Sequence, residues 1–166
     1  MQQYLPSILK IFLVLVILSV GAAVMLPVGS PSRGNSKRSQ CQSNLKQIGL
    51  AVKQYVQDYD ERFPPVAVVK QGNWAGSIQP YLKSWQLLQC PSDDSRALMK
   101  TDYFYNSNLA KVFEKDIEVV PQTVLLGEGR SDSPTNYAFP SFPSEWLKDE
   151  KSPLYRHLDG ANIAFA

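Results

Sequence analysis

The sequence predicts an α+β fold in which one amphipathic helix packs against a small antiparallel sheet. Apolar residues recur at helical spacing between residues 39 and 60, and short strand-like segments separated by turn residues follow after residue 65. A third observation, an uncharged apolar run at residues 11–28, adds an N-terminal appendage. With 166 residues, 44% of them hydrophobic, the chain suits one globular domain plus that appendage.

The charge of the chain is small and unevenly distributed. The 17 Lys and Arg residues against 15 Asp and Glu give a formal net charge of +2, which does not favour a nucleic-acid binder held by phosphate contacts. The first acidic residue is Asp58, so the N-terminal part of the chain is first apolar and then basic. Composition also excludes collagen-like, disordered and disulfide-dense proteins. No nucleic-acid partner is therefore expected.

The apolar run predicts a transmembrane anchor within residues 1–28. As a helix, its 18 residues span roughly 27 Å, close to the thickness of the hydrocarbon core of a bilayer. A cleaved signal peptide, with its cleavage region near residues 21–23, is the alternative, but the apolar segment of a signal peptide is usually shorter. We therefore expect an uncleaved helix, with the lipid bilayer as a partner.

A basic linker is predicted next, at residues 29–38. Proline and glycine at positions 27, 29, 31 and 34 oppose helix propagation. Ser39 and Gln42 fit a capping box, so the helix and the globular domain, residues 39–166, are expected to begin there. The helix should end at the Phe63-Pro64-Pro65 sequence. Its predicted apolar face consists of Leu45, Ile48, Val52, Tyr55, Val56 and Tyr59.

The rest of the chain alternates between strand-like runs and turns. Residues 74–85 predict either a short helix or a turn that packs aromatic side chains. Strands are predicted at 103–105, 117–120, 123–126 and from Asn162 onward, with a long Pro-rich loop at 131–153.

Side chains able to carry chemistry are few. Cys41 and Cys90 lie far apart with no C-x-x-C motif, and they form either one disulfide or two buried thiols. A disulfide would close a loop of about 50 residues, a stabilisation of roughly 4 kcal/mol, and it requires an oxidising compartment. His157 is the only histidine, and no G-x-S-x-G motif accompanies it. A structural role for His157 in a turn with Asp159 is therefore favoured over catalysis.

Metal and nucleotide sites are also weakly indicated. A zinc site built from the two cysteines and the histidine is one ligand short. Asp93, Asp94 and Asp102 lie near a turn but lack the spacing of an EF-hand, so they are interpreted as capping or solvating that turn. Gly127-Glu128-Gly129 is interpreted as a strand end. We expect no metal, no cofactor and no enzymatic activity.

Several segments occur in an order that is typical of one family. They are the apolar helix ending at Met25-Leu26-Pro27, residues 37–55 (KRSQCQSNLKQIGLAVKQY), Phe63-Pro64-Pro65, 78–82 (IQPYL), 89–93 (QCPSD), 123–128 (TVLLGE) and 156–165 (RHLDGANIAF). Together they resemble a type IV pilin-like protein of the type II secretion pseudopilin-related branch, which is marked by a C-terminal His-x9-Asp-Gly signature. The residues matched at the signature are Arg156, His157, Asp159 and Gly160.

This resemblance implies a pilin-like fold and a structural, non-enzymatic role. It implies a disulfide between Cys41 and Cys90, and a single-pass anchor in the cytoplasmic membrane with the globular domain on the outer (periplasmic or extracellular) side. Other pilin-like subunits or secretion-machinery proteins are the implied partners. The basic residues at 33, 37 and 38 taken alone favour a cytoplasmic domain, but we give the family pattern more weight.

Two departures from the family pattern define an alternative function. Residues 1–10 contain neither the glycine nor the acid of a prepilin peptidase site. The family continues nine residues after His157 with Asp-Gly and a final strand, so we expect an incomplete C-terminus and an exposed sheet edge at the strand from Asn162. The alternative is a solitary membrane-anchored protein-binding module that has lost filament assembly. It would present residues 133–153 to a partner through Phe139, Phe142 and Trp146.

Overall fold

The computed structural model describes residues 4–25, 31–68, 72–93, 99–157 and 160–166. The chain divides into two compact units, Met1–Ser32 and Arg33–Ala166. Helices are combined with a four-stranded sheet, which confirms the predicted α+β class. The predicted anchor and linker fall partly outside the described residues, at 1–3 and 26–30, and so do Asp94 and Asp159.

Helix α1, Tyr4–Met25, belongs to the first unit. Its side chains between residues 9 and 19 are all exposed. Of the helices that the structure describes, none combines the length and apolar character needed to cross a membrane. The structure therefore does not support the transmembrane anchor predicted for residues 1–28, and that assignment stays a sequence-based prediction.

Helix α2, Pro31–Asp58, begins eight residues before its predicted start at Ser39. The structure corrects the linker predicted at residues 29–38, because residues 31–38 are helical, and it places the predicted capping box inside the helix. Pro31 is tolerated because the first N–H groups of a helix have no intrahelical acceptor. Gly34 lowers helix propensity without breaking the helix.

The end of α2 matches the prediction. Asp60 and Glu61 adopt left-handed backbone conformations, with φ of 53° and 56°. The Glu61 N–H donates to Val56 O at 3.0 Å and closes the last turn. The predicted apolar face is confirmed except for Tyr59, which is exposed and stacks on Tyr55. The buried residues of α2 are Cys41, Asn44, Leu45, Ile48, Ala51, Val52, Tyr55 and Val56.

The main sheet consists of β3 (Lys100–Asn106), β4 (Val124–Pro134), β5 (Ala138–Phe139) and β6 (Ile163–Phe165) in the order β5-β3-β4-β6. Strands β4 and β6 run antiparallel to their neighbours, whereas β5 runs parallel to β3. The sheet is therefore mixed, which corrects the prediction of an antiparallel sheet. Two shorter strands, β1 (Ala67–Val68) and β2 (Gly72–Asn73), form a separate antiparallel pair that leads into helix α3, Trp74–Ile78.

Three of the four predicted strands are present in the structure, and the fourth is not. The strands predicted at 103–105 and 123–126 are confirmed as parts of β3 and β4, and the one predicted from Asn162 is β6. The strand predicted at 117–120 is wrong, because this segment lies between 3₁₀ turns at Glu114–Asp116 and Val120–Gln122. Pro121 favours the second turn, since it has no N–H to donate to a sheet. Strand β4 also continues into the predicted loop, as far as Pro134.

The aromatic residues of the predicted 133–153 loop pack on the sheet. Phe104 of β3 makes edge-to-face contacts with Phe139, Phe142 and Trp146, at ring-centroid distances of 5.1 to 6.2 Å. Trp146 is only 2% exposed, so its expected role as an exposed recognition side chain is corrected. Aromatic edge-to-face packing of this kind adds about 0.5–1.5 kcal/mol per pair beyond surface burial, which favours a folded loop.

Candidate functional site

Four side chains capable of metal or acid–base chemistry converge in one buried cluster. They are Cys41 of α2, Cys90, Glu128 of β4 and His157, and none is more than 4% exposed. Their sulfur, oxygen and nitrogen atoms all lie within 4.8 Å of one another. The four residues are far apart in the sequence, and the fold brings them close together in space. We call this group the Cys–Glu–His cluster.

Two members of the cluster form a disulfide. Cys41 and Cys90 are bonded across 49 residues, with their Cα atoms 5.2 Å apart. This is the pairing that the family resemblance implied. It ties α2 to the segment that follows the 3₁₀ turn at Trp85–Leu88. Closing a loop of this length is expected to stabilise the fold by up to about 4 kcal/mol.

The imidazole of His157 is held on both ring nitrogens. Nε2 lies 2.9 Å from Glu128 Oε1 and 3.5 Å from Cys90 Sγ, while Nδ1 lies 3.2 Å from Ser92 Oγ. A proton between Nε2 and Oε1 is needed for the 2.9 Å contact to be attractive. The backbone of His157 also exchanges two 2.9 Å hydrogen bonds with Gly160, which closes the predicted turn.

Glu128 is the member of the cluster that sequence reasoning missed. Its carboxylate accepts the Asn162 amide N–H at 3.1 Å and the Asn162 Nδ2 at 2.9 Å. The Glu128 N–H in turn donates to Asn162 O at 3.1 Å, so backbone and side chain together bind β4 to the residue that precedes β6. The interpretation of 127–129 as a strand end is corrected, because all three residues are buried inside β4. An acid two positions after the apolar TVLL run was the available signal.

A second buried carboxylate, Asp102, supports the cluster from β3. Its Oδ2 accepts the Cys90 N–H at 2.7 Å and its Oδ1 accepts the Asp132 N–H at 2.9 Å. Burial raises the pKa of Asp102 above its ordinary value, and these two amides together with Arg156 offset part of that effect. The Asp93 carboxylate meanwhile accepts a hydrogen bond from Ser131. Asp93 and Asp102 therefore accept hydrogen bonds from backbone and side-chain donors, which is the capping role that the sequence indicated.

Arg156 joins the signature segment to the sheet. Its Nη2 donates to Gly129 O at 2.6 Å and to Ser131 Oγ at 3.0 Å, and its Nη1 lies 3.4 Å from Asp102 O. Two of the four signature residues, Arg156 and His157, thus bind β3 and β4, and a third, Gly160, pairs with His157. The fourth, Asp159, lies outside the described residues.

A groove of about 670 Å³ lies on the other side of the sheet edge, between α2 and β6. Strand β6 is an edge strand, as the sequence predicted, and its Ile163 and Phe165 side chains are exposed. Apolar Leu50 and the amines of Lys46 and Lys53 line the facing side of α2. The groove is separate in the fold from the buried cluster, which has no exposed member.

The family model described as "Protein of unknown function (DUF1559)" matches residues 31–151, which is more than half of the chain. The chain belongs to this DUF1559 family. The family is associated with pilin-like and type II secretion-related proteins. The matched range contains Cys41, Cys90 and Glu128, whereas His157 follows it. No curated protein and no solved structure matches the chain.

Proposed function

We propose that the protein is a non-enzymatic, pilin-like structural or accessory subunit of a secretion or pilus-type system. Membership of the DUF1559 family supports this proposal at the level of class. The pseudopilin-related branch with its His-x9-Asp-Gly signature is the finer part of the proposal, and it rests on the sequence resemblance.

The observation that carries the proposal is the exposed apolar surface of α1. Every side chain between residues 9 and 19 is exposed, including Phe12 and eight Leu, Ile and Val residues from Leu9 to Leu18. A surface of this kind is unfavourable in water and marks a site of membrane or protein contact. In the proposal, α1 lies in the cytoplasmic membrane beside the equivalent helices of neighbouring subunits. Residues 33–166 then lie on the outer side, where a disulfide persists.

A non-enzymatic role agrees with the environment of the cluster. His157 and Glu128 are 4% and 0% exposed, and they are bonded to each other and to Ser92 and Asn162. A general acid or base must come within hydrogen-bond reach of its substrate. Because these groups are buried and already hydrogen-bonded, we assign the cluster a structural role in stabilising the fold.

Cross-linking in native membranes tests the proposal. The described cysteines are all in the disulfide, so a double Leu13→Cys, Ile17→Cys variant adds two reactive thiols on α1. Each copy can then link to two neighbours, and mild oxidation is expected to give a ladder of covalent oligomers. The matched control is a double Lys83→Cys, Lys148→Cys variant, which adds two thiols at exposed positions in the other unit and tests whether the ladder depends on α1.

The result that contradicts assembly is a monomer band alone for the α1 double variant under conditions that link a known membrane dimer. That outcome supports the alternative, a solitary membrane-anchored binding module. The surface first assigned to that module is altered in the structure, since Trp146 is buried against Phe104.

A further inference from the structure

We infer that reduction of the Cys41–Cys90 disulfide converts the Cys–Glu–His cluster into a four-ligand zinc site. The ligands are the two cysteine sulfurs, His157 Nε2 and a carboxylate oxygen of Glu128. The sequence alone offered only three of these ligands, and the fold supplies the fourth from β4. This inference is independent of the proposed function, because it concerns the chemistry of the buried cluster and not assembly.

The cluster is compact enough to close around one zinc ion. His157 Nε2 and Glu128 Oε1 are 2.9 Å apart, and they need to separate to roughly 3.4 Å to bind the same tetrahedral ion. Zinc held at its usual bond lengths places a thiolate sulfur and an imidazole nitrogen roughly 3.5 Å apart. Cys90 Sγ and His157 Nε2 are 3.5 Å apart, and all four ligand atoms lie within 4.8 Å of one another. Once the sulfurs are no longer bonded, they need to separate to roughly 3.8 Å to bind one ion. Thiolate and imidazole ligands suit zinc, whereas magnesium and calcium favour oxygen ligands, so this donor set selects zinc.

The surroundings of the ligands resemble the outer shell of a built metal site. Ser92 Oγ lies 3.2 Å from His157 Nδ1, where it can accept the ring proton and leave Nε2 free to bind metal. Asn162 holds Glu128 through both its amide N–H and its side-chain amide. Asp102 holds the backbone N–H of Cys90. Each ligand except Cys41 is therefore oriented by a hydrogen-bonded neighbour before any ion binds.

The conversion balances with one dithiol or phosphine reductant. With a phosphine, one water is consumed: the phosphine takes the water oxygen and becomes a phosphine oxide, while the S–S bond gains two electrons and the two water protons and yields two thiols. A dithiol instead supplies both electrons and both protons and becomes a disulfide. When Zn²⁺ binds, both thiols release their protons to solvent, and the imidazole proton moves from Nε2 to Nδ1. The site then carries two thiolates, one neutral imidazole and one carboxylate around one divalent ion.

The test is metal titration of the full chain before and after reduction with a phosphine under anaerobic conditions. We expect the reduced protein to bind one Zn²⁺ per chain in competition with a chromophoric chelator, and the oxidised protein to bind none. Co²⁺ should give the intense visible bands of a tetrahedral site together with a thiolate charge-transfer band. Near-ultraviolet circular dichroism, recorded at each step, reports whether the fold survives reduction.

Two variants identify the site. Glu128→Gln removes one ligand with little change in volume, and it should weaken zinc binding by more than the roughly 10- to 100-fold that outer-shell changes cost. Glu118→Gln is the matched control, since it makes the same chemical change at an exposed residue outside the cluster, and it should retain both the zinc affinity and the tetrahedral cobalt spectrum. Equal zinc affinity in wild type and Glu128→Gln overturns the inference. So does a reduced chain that loses its near-ultraviolet signal and does not regain it with zinc.

Discussion

Two tyrosines on one face of β3 differ in how their hydroxyl groups are satisfied. Tyr103 and Tyr105 are both fully buried, and Tyr105 donates a hydrogen bond to Pro64 O at 3.2 Å. Among the described residues, the Tyr103 hydroxyl has no hydrogen-bond partner of good geometry, although the Asn44 side chain lies close enough to interact with it. A buried hydroxyl without a partner costs about 1–3 kcal/mol of desolvation. The two residues therefore form a matched pair for measuring that cost.

We predict opposite effects for the two Tyr→Phe substitutions. Tyr103→Phe removes an unsatisfied group and should raise the free energy of unfolding by about 1 kcal/mol, whereas Tyr105→Phe removes a hydrogen bond and should lower it by about 1 kcal/mol. Urea unfolding of the oxidised protein measures both. Equal losses for the two variants would contradict the assignment of Tyr103 as unsatisfied.

The buried carboxyl of Asp102 gives a prediction about pH. Because burial raises its pKa in the folded state, the folded protein keeps this proton over a range of pH, starting near 3.8, in which the unfolded chain has released it. The folded state then binds more protons, so this group's contribution to the free energy of unfolding falls as pH rises through that range. In Asp102→Asn that contribution is absent. Urea unfolding at a series of pH values should show wild type losing stability relative to the variant as pH rises, and the opposite trend would refute the assignment.

At the level of single residues, the sequence identified three of the four cluster members. Cys41, Cys90 and His157 stand out because their types are rare in this chain. Glu128 does not, since the residue that holds it, Asn162, lies 34 positions away and no local pattern joins them. Its burial is decided by the pairing of β4 with β6, which only the folded chain supplies.

Helix α2 shows where local rules fail at the scale of elements. Proline and glycine at 31 and 34 predicted a break, yet the helix runs from Pro31 to Asp58. Strand prediction succeeded at β3 and β4, where apolar and aromatic residues are continuous. It failed at 117–120, where 3₁₀ turns on either side and Pro121 prevent pairing. The order β5-β3-β4-β6 depends on long-range pairing and had no local signal.

Two glycine substitutions test this description of the elements. Nothing lies within 4 Å of a Cβ added at Gly34, so Gly34→Ala should raise the free energy of unfolding by about 0.5–1 kcal/mol through helix propensity. A Cβ at Gly127 would clash with the Phe104 ring, so Gly127→Ala should lower the free energy of unfolding by about 1–3 kcal/mol. Thermal and urea unfolding measure both changes. If residues 29–38 were a linker, Gly34→Ala would leave stability unchanged.

At the scale of the whole molecule, the disulfide joins helix α2 to the segment that follows the 3₁₀ turn at Trp85–Leu88. Removing it in a Cys41→Ala, Cys90→Ala double variant should lower the free energy of unfolding of residues 33–166 by up to about 4 kcal/mol. The loss is expected because the cross-link spans 49 residues and restrains the unfolded chain. Urea unfolding against oxidised wild type measures it. A loss below about 1 kcal/mol would show that the buried hydrogen bonds of Glu128 and Asn162 hold the unit together without the cross-link.

The fold class and the family could be predicted from the sequence, whereas the side of the membrane on which residues 33–166 lie could not. The family match supports a pilin-like class, and the sheet confirms α+β. The basic residues beside the apolar run and the family resemblance predict opposite sides of the membrane, because charge bias and translocation signals act through different steps. Direct labelling of an exposed position resolves that conflict.

The measurement that tests the central claim is therefore the labelling of Lys83→Cys with a membrane-impermeant maleimide on intact spheroplasts. Lys83 is exposed in the unit of residues 33–166, and the described native cysteines are bonded to each other, so unmodified protein serves as the unlabelled control. An outward-facing, membrane-anchored pilin-like subunit predicts full labelling without lysis, while a cytoplasmic marker stays unlabelled. Labelling only after lysis would place residues 33–166 in the cytoplasm and contradict the proposed function.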